Sequence, residues 1–60
     1  MLWILVDLGN VFFSERDYAR AEEFYSKAEK IALKHKENYA LSVIFLNYAL
    51  IDFEQNRMWM

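Results

Sequence analysis

Apolar residues in this chain gather into three long runs separated by two short polar breaks. From Leu2 to Phe13 they are too dense for a strand with one wet face. Ile4, Val6 and Val11 are β-branched, as is the later Val43–Ile44 pair, but no turn chemistry delimits a strand. Ser14-Glu15-Arg16-Asp17 interrupts the run and supplies Asp17 as an N-cap. Beyond it Tyr18, Ala21, Tyr25, Ala28, Ile31 and Ala32 recur at spacings of three and four, the signature of an amphipathic helix. Glu23 and Lys27 form an i,i+4 pair on its other side, and Lys27, Lys30 and Lys34 crowd its later turns, where the helix dipole favours cations. Lys34 to Asn38 is the second break. Tyr39 to Phe53 is a third apolar helical run that closes near Gln55-Asn56, with Asn56 suited to a left-handed cap. The pattern predicts an all-α chain of three helices, near 2–14, 18–34 and 38–55.

Composition sharpens this picture. Sixty residues make a single domain, 1–60, with one glycine, no proline and no cysteine. A chain this short buries only about 60% of its unfolded surface, and below roughly 70–80 residues a disulfide, a metal or a partner usually supplies the missing stability. Without cysteine there is no disulfide, no thiolate metal site and no thiol nucleophile. At 57% hydrophobic and 18% aromatic, the chain carries more apolar surface than three helices can hide, so a partner chain is expected.

The net charge of −2 argues against nucleic acid, which needs a basic face to displace counterions. Twelve of the sixteen charged side chains lie in residues 15–37, so two apolar arms flank a charged middle. Neither arm is expected to enter a membrane. The longest uncharged run, Asn38 to Ile51, has 14 residues, short of the roughly 20 that cross a bilayer. The start has no basic residues before its apolar stretch, unlike a secretory leader. A soluble, cytoplasmic chain is the expectation, and the lack of cysteine suits a reducing compartment.

No constellation of side chains points to catalysis. His35 stands alone between Lys34 and Lys36 at a helix end, where it caps carbonyls or faces water. The carboxylate pairs Glu22–Glu23 and Asp52–Glu54 are not i,i+4 on an apolar face, and the first neighbours solvent-facing lysines. Ser14, Ser26 and Ser42 lack a histidine at a suggestive spacing. One glycine makes no phosphate-cradling loop. The chain is expected to be no enzyme and to take no cofactor and no metal.

An internal repeat is more informative. Shifting the sequence by 40 residues aligns Ile4 with Ile44 and Phe13 with Phe53, and pairs Leu5 with Phe45, Val6 with Leu46, Gly9 with Ala49 and Val11 with Ile51. The third helix reads as a second copy of the first. Leu8-Gly9-Asn10-Val11-Phe12-Phe13-Ser14-Glu15-Arg16-Asp17-Tyr18, followed by Ala21, Phe24-Tyr25 and Ala28, resembles a tetratricopeptide repeat. In that helix–turn–helix unit of about 34 residues, small residues at fixed places bring two helices close. Gly9, Ala21 and Ala28 match its small positions; Leu8, Phe12, Tyr18 and Tyr25 match its large ones. The likeness covers one and a half repeats: the first at about 2–33, and the first helix of a second at about 38–56. Three departures stand out. Arg16 replaces the usual turn glycine, Glu29 follows Ala28 where an apolar residue is common, and Leu33 falls where a closing proline is usual.

The resemblance implies a groove lined by the first helix of each repeat. Its lining here would be Trp3, Val6, Asn10 and Phe13, then Val43, Leu46, Asn47, Leu50 and Phe53. Asn10 and Asn47 fall where peptide-clamping members place asparagines, but Val6 stands where those members carry a lysine. The leading expectation is therefore a protein–protein interaction module that self-associates as a homodimer through its unpaired, apolar third helix. Two routes lead there. Compact three-helix chains can pack through their third helices, or helices two and three can fuse across Lys34–Asn38 and exchange arms as a swapped dimer. The missing glycine and proline favour the swap. A peptide receptor using Asn10 and Asn47, or a truncated or designed structural fragment without activity, are the rivals. Core packing is expected for Phe12, Tyr18, Tyr25 and Tyr48, whereas Trp3, Phe13, Trp59 and Met60 exceed what three helices can cover.

Overall fold

The computed structural model describes residues 1–55 and contains three antiparallel helices: α1 (Leu2–Ser14), α2 (Tyr18–Lys34) and α3 (Asn38–Gln55). The predicted boundaries coincide with these at both polar breaks. Asn56, expected to cap the third helix, and Trp59 and Met60, expected to stay uncovered, lie outside the described residues.

Both helix–helix connections are built the same way. At the end of α1, the Asp17 N–H donates to the Phe12 carbonyl at 2.8 Å and the Arg16 N–H to the Phe13 carbonyl at 2.9 Å. At the end of α2, the Glu37 N–H donates to Ala32 at 2.9 Å and the Lys36 N–H to Leu33 at 3.2 Å. This double closure is the Schellman motif, which places one residue in the left-handed region, usually glycine. Here arginine and lysine take that place, with φ 65° at Arg16 and φ 55° at Lys36. Each accepts a cost of about 1–2 kcal/mol for a side chain at positive φ. The Asp17 side chain then caps α2 by accepting from the Arg20 N–H at 3.3 Å.

The second turn reverses the backbone within the single chain. Helices α2 and α3 are not one continuous rod; the backbone reverses at Lys36 and α3 folds back on α2. The physical reason is burial: docking removes Ala40, Ile44 and Ile51 from water, and an Ile side chain is worth about 1.5–3 kcal/mol when fully buried. That exceeds the cost of one left-handed lysine.

Helix α2 lies at the centre and packs against both neighbours. Its core stripe is Ala21, Tyr25, Ala28 and Ala32, all fully buried. Three alanines keep that stripe flat, so helices can approach it from two directions. From α1 come Leu2, Val6 and Gly9; from α3 come Ala40, Ile44 and Ile51. Tyr25 fills the middle, its ring edge-on to Tyr48 at 5.9 Å. A Cβ built on Gly9 would stand 2.5 Å from Cε1 of Tyr25, so only glycine permits this approach of α1. Phe12 and Tyr48 are half-buried and Tyr18 packs beside Phe13 at 5.7 Å, which completes the expected core group. Phe12 stacks on Phe24 at 5.4 Å, with the Arg20 guanidinium and the Lys27 ammonium over the two rings.

The backbone measures 37 × 21 × 13 Å. Helices α1 and α3 both lie on α2 and touch each other at the Asn10–Asn47 and Trp3–Tyr39 contacts. Three helices leave the remaining sides of α1 and α3 uncovered by the chain itself.

Candidate interaction surface

The residues expected to line a groove divide into three groups. Val6 is only 2% exposed and packs under α2. It belongs to the core and offers no surface, a correction that follows from its place one turn from Gly9 on the side α2 covers. Phe13, Val43 and Asn47 are half-buried. Trp3, Asn10, Leu46, Leu50 and Phe53 are exposed.

Asn10 and Asn47 do come together, across 37 residues of sequence. The Asn10 Oδ1 accepts two hydrogen bonds, one from the buried Tyr25 hydroxyl and one from Asn47 Nδ2 at 3.3 Å. That oxygen has two lone pairs, so its acceptor capacity is filled. The arrangement satisfies the only polar atom of a fully buried ring and ties α1 to α3. Burial pushes the Tyr25 hydroxyl above its ordinary pKa. Tyr48 is pushed up too, first by burial and then by the negative charge of Glu29, with Ser26 pulling the other way.

The larger feature is apolar. On α3, Tyr39, Phe45, Leu46, Leu50 and Phe53 are between 41 and 76% exposed. Most of them line the side of α3 opposite Ala40, Ile44 and Ile51, at the three- and four-residue spacings of one helical stripe. Tyr39 also extends the patch to α1 through Trp3, whose ring lies 6.0 Å from its own. Tyr39 and Phe45 were not among the expected lining residues. Periodicity offers no signal for them, and only the burial of Ile44 and Ile51 against α2 sets both on the outside.

Candidate chemistry is sparse elsewhere. Phe13, Ser14, Arg16, Tyr18 and Glu54 line an open cleft beside the first turn. His35 is the exposed C-cap of α2, where its backbone N–H donates to the Ile31 carbonyl. Among the described residues no group of histidine and carboxylate side chains is placed to hold a metal, and no helix is long and apolar enough to cross a membrane. No protein-family model matches the chain, and no curated protein and no solved structure is significantly similar to it.

Proposed function

We propose that this chain is a helical protein–protein interaction module, of the tetratricopeptide kind, that self-associates as a two-fold homodimer through the outer side of α3. The observation that carries this is the exposed stripe of Tyr39, Leu46, Leu50 and Phe53, with Phe45 exposed to one side of it. Five half-exposed or largely exposed side chains of this size present roughly 500 Å² of apolar area, at the level where a surface patch marks an interaction site. A two-fold pairing of that patch buries on the order of 1,000 Å² in total, the lower bound of a specific interface. The rival reading as a peptide receptor keeps amide donors only, because Asn10 Oδ1 is already engaged by Tyr25 and Asn47, and the buried Val6 adds nothing to that surface.

The self-association has two possible geometries, and one observation speaks for the second. The positive φ of Lys36 stores strain that a continuous α2–α3 helix would release, which supports exchange of α3 between protomers. Light scattering at micromolar concentration tests the module, with a dimer expected and a folded monomer overturning it. Leu46→Asp is expected to give a monomer of unchanged helicity if the faces pack. Lys36→Gly is expected to reduce dimer only if arms are exchanged, and a long distance between labels at Tyr18 and Phe53 within one chain reports that form.

A further inference from the structure

Arg16 and Lys36 hold equivalent places in the two turns, at φ 65° and φ 55°. They stand at opposite ends of α2. Arg16 lines the open cleft beside the first turn, with Phe13, Ser14, Tyr18 and Glu54. Strained non-glycine residues gather at ligand clamps, where a side chain is needed that glycine lacks. The cleft measures about 260 Å³. That is just under the roughly 300–1,000 Å³ of a drug-sized pocket, so its occupant has the size of one amino acid.

Its walls carry three kinds of chemistry. Phe13 and Tyr18 are half-buried, with ring centroids 5.7 Å apart and planes tilted by 51°. They form an apolar wall against which a further ring packs edge-on or offset. Arg16 is exposed and brings a planar guanidinium, whose fork matches a carboxylate. Glu54 comes from the last turn of α3 and is half-buried. Among the described residues, neither the Arg16 nor the Glu54 side chain joins an ion pair or a hydrogen bond. The Ser14 hydroxyl donates to the Val11 carbonyl at 3.0 Å, so toward the cleft it can only accept. Two unpaired charges of opposite sign beside an aromatic wall suit a small molecule that carries both charges and a ring.

We propose that this cleft binds a free aromatic α-amino acid. The ligand carboxylate meets Arg16, its ammonium meets Glu54, and its ring packs against Phe13 and Tyr18. A residue inside a peptide has neither backbone charge, so the cleft favours the free zwitterion over a peptide segment. Arg16 thereby gains a reason to occupy a left-handed position. Glycine there would relieve the strain and remove the carboxylate contact at the same time. The cleft is separate from the exposed stripe of α3, and its ligand does not depend on self-association.

Titration of the isotope-labelled chain with phenylalanine, followed by amide chemical shifts, tests this. Exposed ion pairs contribute little, so the expected Kd is about 1 mM and the titration runs to about 20 mM. Saturable shifts are expected at residues 13–18 and around Glu54. Phenylpropionate lacks the ammonium, phenethylamine the carboxylate and glycine the ring; each is expected to bind about tenfold more weakly. Arg16→Gly is expected to abolish phenylalanine binding with helicity unchanged, whereas Lys36→Gly, the same backbone change at the other turn, leaves binding as it was. Glu54→Gln is expected to weaken phenylalanine and phenethylamine about tenfold and to leave phenylpropionate unaffected. Absence of saturable shifts at the cleft overturns the proposal. So does binding of phenylpropionate or phenethylamine as tight as that of phenylalanine, or phenylalanine binding that survives Arg16→Gly.

Discussion

Gly9→Ala is the sharpest test of the way α1 meets α2. Alanine in a helix interior normally stabilises by about 1 kcal/mol relative to glycine, so an exposed site would gain. At Gly9 the new methyl would lie 2.5 Å from Cε1 and 2.7 Å from Cδ1 of Tyr25, against the ~3.5–4.0 Å of a relaxed carbon–carbon contact. About 1 Å of separation has to be found. The ring cannot give it easily, because Tyr25 is fully buried, edge-packed on Tyr48 and bonded through its hydroxyl to Asn10. Helix α1 must shift instead, loosening Leu2 and Val6. Overpacking of this kind typically costs 1–3 kcal/mol, and the contact here is close enough to place it at the upper end. After the propensity gain the net loss is about 1–2 kcal/mol. In a chain of this size that lowers Tm by roughly 5–15 °C.

Thermal unfolding followed at 222 nm, at matched chain concentrations because association raises Tm, reads the effect. Repeating Gly9→Ala in a Tyr25→Leu background isolates its cause. With the ring gone, the alanine should become neutral or stabilising, a coupling of about 2 kcal/mol between positions 9 and 25. A Gly9→Ala chain with an equal or higher Tm, or a loss that persists without the ring, refutes the close approach.

Three further outcomes follow from the same structure. Arg16→Gly and Lys36→Gly should each stabilise by about 0.5–1 kcal/mol, the relief of positive φ less the extra chain entropy of glycine; a denaturant midpoint that falls in either variant contradicts the Schellman turns. Asn10→Leu removes the acceptor of the buried Tyr25 hydroxyl and should cost about 1–3 kcal/mol, most of it recovered by adding Tyr25→Phe; an additive double variant would show that the hydroxyl bonds elsewhere. Tyr25 and Tyr48 have pKa values raised by burial, so the folded state favours their neutral forms. Their contribution is complete below the unfolded tyrosine pKa of about 10 and is lost as pH rises above it. Stability by circular dichroism should fall from there, with the late tyrosinate absorbance rising together with unfolding; tyrosinate that forms fully while the helices stay intact counts against buried hydroxyls.

The sequence by itself determined three helical runs and the first break between them. Polar breaks at Ser14–Asp17 and Lys34–Asn38 interrupt the apolar runs, and Asp17 is a capping residue at the place where a cap forms. The small positions Gly9, Ala21 and Ala28 were legible for the same local reason: an amphipathic helix with a stripe of small residues has one obvious docking side. Helix α3 had no such signature. Its apolar residues surround it, so periodicity assigns no inner face, and Tyr39 and Phe45 could not be told from Ile44 and Ile51 before α2 was in place. Val6 matches a groove position in sequence yet belongs to the core, because its orientation depends on which side of α1 meets Tyr25. The turn at Lys36 was likewise undecided by local chemistry, since Lys34 to Asn38 contains nothing that must stop a helix. Tertiary burial of Ile44 and Ile51 outweighs the strain of a left-handed lysine and reverses the chain there. Only the packing of α1 and α3 on one central α2 decided that apolar sides of both would remain facing outward.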